Sequence, residues 1–464
     1  MTKPCGPKDR RLRRHRCLYC RQNHVKCDGK SPCSRCVQRD LVCTTSAAAP
    51  KPAFVTWQPE IEQSSSAPLD DDRVSAINRF FRGVETSISP LLAALSSNDV
   101  RHIIKEDALA RDIAVVIGSK TIAQTPSIEA VNRMQHGESI SITSQDIRSR
   151  FQSRLNMPDA CRQNSVLVCA LLLSIFDLME DASGLRWYNT VQQILEQIVC
   201  VRGPSGFVGQ LELSLFMLCK IYGGLRALNL DEDTCLADIE WRIDGQDSEW
   251  AVFDELIGII CVIARLNAKS ILWLKAWKQR VQETTGTDLG TLYPNTIDYV
   301  ENETQAQIAA EITHTASTTL NELRQLEPRF QQCQNINFLS AYYHSGLISL
   351  SRLFVDPAWI PYNPPNINES LIKYHSLTSL EFIEKVIPTA HLEAPFLLPP
   401  LLVVSLETRD ASVRTRIASV LRSVQSQGFA VASSYFADIS FIWNIFKCRD
   451  ETPHNGISLP QENP

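Results

Sequence analysis

The chain of 464 residues has no long hydrophobic run. A bilayer span needs about 18 or more predominantly apolar residues, yet Leu256 to Ala264 stops at Arg265, and Phe396 to Val404 contains Pro399 and Pro400. The stretch from Met1 to Arg16 carries charge but no apolar core of the kind a secretory signal needs. The sequence therefore reads as a soluble protein with no membrane partner. Also missing are the glycine patterns G-x-G-x-x-G and G-x4-G-K-[ST], the nucleophile turn G-x-S-x-G and the zinc-peptidase pair H-E-x-x-H. Gly203-Pro204-Ser205-Gly206 reads as a turn rather than a nucleophile elbow. Few segments alternate as strands do. These absences point away from an enzyme and from a β fold.

What is present is cysteine in a repeated spacing. Cys17, Cys20 and Cys27 form one C-x2-C-x6-C unit; Cys33, Cys36 and Cys43 form a second. Tetrahedral zinc takes four ligands, so two ions need eight positions. Six thiolates fill eight positions only if two of them bridge both metals. The doubled spacing thus suggests a two-metal thiolate cluster with a pseudo-two-fold axis. Disulfides or a single zinc with spare thiols are the competing readings; disulfides require an oxidising compartment, to which nothing in the sequence points. Bound metal would also supply the folding free energy that some forty residues with few apolar side chains cannot. Cys5 has no partner at ligand spacing and reads as a free thiol. The later cysteines, Cys161, Cys169, Cys200, Cys219, Cys235, Cys261, Cys333 and Cys448, lack metal spacing and read as small core residues.

Charge is distributed unevenly. Residues 1–46 carry twelve Lys and Arg against three Asp, a net charge of +9, while the rest holds 34 basic and 48 acidic residues, a net of −14. Six thiolates and two divalent ions bring the metallated segment near +7. A basic head on an acidic body is the electrostatic footprint of nucleic-acid binding. Arg10, Arg11, Arg13, Arg14 and Arg16 suit nuclear import and contact with DNA phosphates.

From Cys17 to Cys43, with Ser31-Pro32 ahead of Cys33, the chain resembles the fungal binuclear zinc cluster family of transcription factors. The resemblance implies two zinc ions, with Cys17 and Cys33 bridging, Cys20 and Cys27 completing one metal, and Cys36 and Cys43 the other. It implies docking in the major groove of double-stranded DNA. Arg21 and Lys26 are placed to hold phosphates, which fix position without reading sequence. Where the family usually has a lysine that reads a CGG triplet, this chain has His24, preceded by Asn23. Asparagine suits adenine N6 and N7, and lysine suits guanine O6 and N7, so Asn23 and His24 are the candidate base contacts and the CGG preference is in doubt.

Residues 47–72 hold Pro50, Pro52, Pro59 and Pro68 with Ser64-Ser65-Ser66 and show no heptad, which reads as a flexible linker. A homodimer would then be built by the domain after it. Residues 73–464 read as one large all-helical domain of stacked antiparallel helices. Helical spacing recurs at Trp187, Val191, Ile194, Leu195 and Ile198; at Ile308, Ile312, Leu320, Leu323 and Leu326; and at Leu371, Tyr374, Leu377 and Leu380. Val166 to Leu173 is apolar on all sides and reads as a buried helix. His344 and His375 read as core histidines. The acid-rich stretch from Asp231 to Glu255 is either a surface for coactivators or a charged edge. Leu171 to Leu178 with Trp187-Tyr188, Ala341-Tyr342-Tyr343-His344 with Leu350 to Leu353, and Pro395 to Pro399 are similar to the fungus-specific regulatory domain that commonly follows such a cluster. That similarity implies intramolecular control, effector sensing or dimerisation.

The reading is a nuclear, sequence-specific regulator of RNA polymerase II transcription: a cluster domain over residues 1–46, a linker over 47–72 and a regulatory domain over 73–464, with DNA and the transcription machinery as partners. Two alternatives are a zinc-dependent protein-interaction module, whose basic arm serves import alone, and a helical enzyme with a zinc appendage.

Overall fold

Short polar residues at helix starts punctuate the chain, and the computed structural model is helical, with no strand among the residues it describes. These are residues 28, 30, 33–39, 71–85, 92, 95–121, 142–243, 249–285 and 303–451. The chain divides into two compact units, Met1–Pro68 and Leu69–Pro464. In the first unit the described helix is α1, Ser34–Gln38.

The second unit opens with α2 (Asp71–Glu85), so Asp71 and Asp72, expected within the linker, form its first turn. α3 (Asn98–Glu106) and α4 (Ala108–Lys120) meet at Asp107, which ends one and caps the other through Leu109 N (2.9 Å) and Ala110 N (3.0 Å). Such a cap satisfies amides that have no partner inside the helix. Thr143 caps α5 (Ser144–Leu155) in the same way. α6 (Asn164–Glu180) is buried on every face from Val166 to Met179, as its unbroken apolar run implied. α7 (Leu185–Ile194) continues through a π turn, Leu195–Val199, and a last turn, Cys200–Arg202, and stops at Gly203, whose φ of 67° lies in the left-handed region. Its expected face is largely the observed one: Trp187, Val191, Ile194 and Ile198 are buried and Leu195 is half-buried.

α8 (Gln210–Leu230), α9 (Glu249–Thr285) and α10 (Glu303–Phe330) follow. α9 and α10 run antiparallel, joined by Trp273 Nε1 donating to Gln305 O (2.9 Å) and by Arg329 to Glu255 (2.6 Å). α8 and α9 instead run in the same direction: Lys220 meets Asp254, Gly224 faces Cys261, and Asp231 meets Asn267. Antiparallel stacking therefore does not hold for this pair, because the chain after α8 has returned alongside it by Trp241, whose carbonyl accepts from Lys220 Nζ (3.3 Å). The apolar run near Leu256 also extends further than expected. Trp250–Glu283 is long and apolar enough by composition to cross a membrane, but 67% of its most apolar window is buried in the fold. Its apolarity belongs to the core.

Two expected faces hold only in part. On α10, Ile312, Leu320, Leu323 and Leu326 are buried as expected, but Ile308 is 43% exposed, since the buried stripe runs through Gln305, Ala309 and Ile312. α11 (Ile336–Arg352) and α12 (Glu369–Val386) pack antiparallel through Arg352–Glu369, His344–His375 and Ser379 Oγ donating to Ala341 O (3.0 Å). The face of α12 that meets α11 holds Ile372, Ser376, Ser379, Leu380 and Ile383, whereas Leu371 (45%) and Tyr374 (56%) face outward. Large and small side chains share that face, with Ser379 reaching the backbone of α11. α13 (Leu398–Leu406), α14 (Ala411–Ser426) and α15 (Ala432–Glu451) complete the unit.

Among the described residues, several acids of the acid-rich stretch are paired within the fold. Arg265 binds Asp233 and Asp238, Arg226 binds Glu232, and Arg329 binds Glu255. Those acids form a charged edge neutralised by α8, α9 and α10.

His344 is buried, stacked on Phe382, with its Nδ1 2.9 Å from Nδ1 of His375. One ring donates and the other accepts, so at least one is neutral. Burial, and then the neighbouring His375, push the His344 imidazole down to about 4; burial also lowers His375. Between the ordinary imidazole value of about 6.5 and this depressed one, the unfolded chain binds a proton that the folded protein does not. Stability contributed by His344 is therefore complete above that range and is lost as the pH falls through it. Urea denaturation at pH 7 and pH 5 should differ by about 2 kcal/mol from this group. His344→Gln should flatten that slope; an unaltered slope in the variant assigns the effect to other groups.

Candidate metal centre

Of the six repeated cysteines, Cys33 and Cys36 lie among the described residues. Cys33 sits in extended backbone (φ −73°, ψ 147°) immediately before α1, and its sulfur takes the place that a serine or aspartate oxygen usually occupies, accepting from Cys36 N at 3.4 Å. The Cys33 carbonyl accepts from Cys36 N (3.0 Å) and Val37 N (3.1 Å) to start the helix. Residues three apart across a helix start lie on one side, and both sulfurs are fully buried. Asp28 fixes the approach to the turn: its carboxylate accepts from Lys30 N (3.3 Å) and Ser34 N (3.2 Å), and the Ser34 side chain and amide hold it below the usual carboxylate range.

This donor set suits zinc. Two sulfurs face one way inside a segment of few apolar residues, and an amide aimed at a sulfur stabilises the thiolate that a metal requires. On the outer surface of α1, Arg35, Val37 and Arg39 are exposed. The two halves of the repeat are offset by 16 residues, so Val37, Arg39, Asp40 and Val42 stand where the first half has Arg21, Asn23, His24 and Lys26. The halves are alike in ligands and unlike in outward side chains. Arg35 and Arg39 entered the sequence reading only as net charge; their exposure on α1 is what singles them out.

The remaining site residues, Cys17, Cys20, Cys27, Cys43, Arg21, Asn23, His24, Lys26 and the arm Arg10, Arg11, Arg13, Arg14 and Arg16, lie outside the described residues, as do Cys5 and the Cys448 side chain. Among the later cysteines, Cys169, Cys219, Cys261 and Cys333 are buried, and burial pushes the first three up to about 12, as befits inert core thiols. Cys161 and Cys235 are half-buried and Cys200 is exposed, so for these three the core reading does not hold. Cys161 is followed by Arg162 and Gln163, and Cys235 follows Asp233 and Thr234, polar flanks that Cys169 and Cys261 lack; Cys200 lies among Ile198, Val199 and Val201, and only its packing sets it apart.

Spacing, buried paired sulfurs and a basic surround define a zinc-thiolate cluster protein. More particularly, residues 15–52 match the family model of the fungal Zn(2)-Cys(6) binuclear cluster domain, which binds two zinc ions, and this segment is similar to that of fungal zinc cluster transcription factors. It is similar to the zinc cluster transcription factor acuM of Aspergillus fumigatus, 49% identical over 36 residues, 8% of this chain and 6% of that protein. It is 26% identical over 124 residues to the transcription activator of gluconeogenesis ERT1 of Komagataella phaffii, 26% of this chain and 25% of that protein. Over 33 residues it is 54% identical to the maltose fermentation regulatory protein MAL33 of Saccharomyces cerevisiae, 7% of each chain. The chain thus spans at most a quarter of the length of these relatives. No solved structure matches it.

Proposed function

We propose that the protein is a nuclear, sequence-specific DNA-binding regulator of RNA polymerase II transcription, not an enzyme. The observation that carries this reading is the doubled C-x2-C-x6-C spacing on a segment of net charge +9. In it, Cys17, Cys20, Cys27, Cys33, Cys36 and Cys43 hold two zincs, and the first half of the cluster enters the major groove. Arg21 and Lys26 take phosphates, Asn23 and His24 reach base edges, and the run Arg10 to Arg16 serves import and phosphate contact. The second half carries Val37 and Val42 in the places of Arg21 and Lys26, apolar groups that cannot hold a phosphate, and Asp40 in the place of His24; this supports an asymmetric dock. Residues 47–72 then act as the linker, and residues 73–464, as stacked and largely antiparallel helices, act as the regulatory domain, with a homodimer and the transcription machinery as its partners. The two compact units, and the absence of strands among the described residues of the second, support that division.

Selection of duplexes by the full zinc-loaded chain, at stated ionic strength, tests the proposal. Enrichment of one sequence is the expected result; binding that is salt-sensitive but blind to sequence would leave only phosphate contact and overturn it. His24→Lys should shift the selected sites towards CGG, since lysine donates to guanine O6 and N7. A good base contact discriminates by about 1–3 kcal/mol, a five- to hundredfold change in preference. If the selected sequences are unchanged, His24 reads nothing.

A further inference from the structure

Cys200 and Cys235, 35 residues apart in sequence, lie with their sulfurs 3.5 Å from one another at the surface of the helical unit. Cys200 opens the short turn after the π segment Leu195–Val199, a kind of irregularity that recurs at functional sites. Cys235 begins a 3-10 turn, Cys235–Ala237, whose Leu236 amide is capped by Thr234 Oγ1 (3.3 Å). Arg265 of α9 pins that turn on both sides, through Asp233 Oδ1 (2.7 Å), Asp238 Oδ1 (2.6 Å) and Thr234 O (2.7 Å). The two sulfur-bearing segments also share a contact on α8. A Cβ added at Gly223 would lie 2.6 Å from Leu236 Cδ1 and 3.0 Å from Leu195 Cδ2, so the absence of a side chain there lets both segments seat side by side.

We propose that Cys200 and Cys235 are a hydroperoxide-sensitive dithiol, a modification site that closes to a disulfide tying the end of α7 to the connection after α8. Bonded sulfurs lie about 2.05 Å apart, so closure needs roughly 1.5 Å of movement, within reach of side-chain torsions. The roles follow from exposure. Solvent reaches Cys200, whereas the Cys235 thiol is pushed up to about 12, first by burial, then by Cys200 and by Asp238, and keeps its proton. The Cys200 thiolate attacks one peroxide oxygen, the O–O bond breaks, and the departing oxygen leaves as alcohol or water with the thiol's proton. Cys200 is thereby oxidised by two electrons to the sulfenic acid as the peroxide is reduced. Cys235 sulfur then attacks Cys200 sulfur, the S–O bond breaks, and hydroxide leaves with the Cys235 proton as water. In sum, two thiols and one hydroperoxide give one disulfide, one alcohol or water, and a further water. A cellular thiol reductant restores the pair by exchange.

The test treats the full zinc-loaded protein with hydrogen peroxide, traps sulfenic acid with dimedone, and maps peptides, so that oxidation of the zinc thiolates is read at its own peptides. The expected product is a Cys200–Cys235 linked peptide pair about 2 Da lighter than the two thiol peptides together, reversed by dithiothreitol. In Cys235→Ser the link is lost and Cys200 accumulates the dimedone adduct; in Cys200→Ser neither product forms. Three results overturn the proposal: a Cys200 sulfenic acid that persists in the wild-type protein, a Cys200 linked to some other cysteine, or both thiols unmodified after peroxide.

Discussion

Replacing Cys33 by serine is expected to empty the metal centre of both zinc ions. If Cys33 bridges, each metal loses a ligand at once, and the buried sulfur that accepts from the Cys36 amide disappears with them. Structural zinc contributes about 10–16 kcal/mol in small metal-folded peptides, and a segment with so few apolar residues has no other source of comparable size. Native mass spectrometry of the intact protein should record two zincs for the wild type and none for Cys33→Ser, with duplex binding lost. Cys36→Ser is the control: a terminal ligand serves one metal, so a species retaining one zinc should be detectable. Equal zinc loss in the two variants would place the bridge elsewhere.

Lys220→Met is expected to produce the largest loss of stability in the helical unit. Lys220 is fully buried on α8, yet its ammonium donates to Asp254 Oδ1 (2.6 Å) and Trp241 O (3.3 Å), while Asp254 Oδ2 accepts from Ile243 N (3.0 Å). The pair fastens α8 to the start of α9 and to the connection between them. Removing one member leaves the other charge buried without its counter-ion, which costs about 3–5 kcal/mol. Removing both, as in Lys220→Met with Asp254→Leu, removes the stranded charge too and should cost less than Lys220→Met alone, apart from the Ile243 amide left unpaired. Urea denaturation of the full chain followed by circular dichroism measures both. A double variant as damaged as the sum of the single ones would mean that the ions do not interact.

The binding of two zinc ions was legible because metal ligation is a local demand. Four-coordinate zinc and six sulfurs at fixed spacing admit few arrangements, and those sulfurs lie within 27 residues. Helix type was legible for a similar reason, since a 3.6-residue period or an all-round apolar run, as in α6, is written along the chain. Which face is buried was less so. On α12 the periodic Leu371 and Tyr374 turned outward while Ser376 and Ser379 turned in beside Ile372, Leu380 and Ile383, because contact with α11, including Ser379 donating to Ala341 O, fixed the rotation of the helix. The parallel course of α8 and α9 was equally hidden, as a long connection allows either direction. Arg35 and Arg39 became visible only once α1 turned them to solvent.

The order of residues alone decided the metal chemistry, the basic head and the helical character, since each depends on neighbours within a few turns of chain. Tertiary structure decided the rest: that Lys220 meets Asp254, that two histidines share a hydrogen bond, and that Cys200 and Cys235 stand sulfur to sulfur while similar cysteines vanish into the core. Such pairings arise when helices distant in sequence compete to bury the same apolar area, and the side chains brought together are set by how closely the backbones can pack.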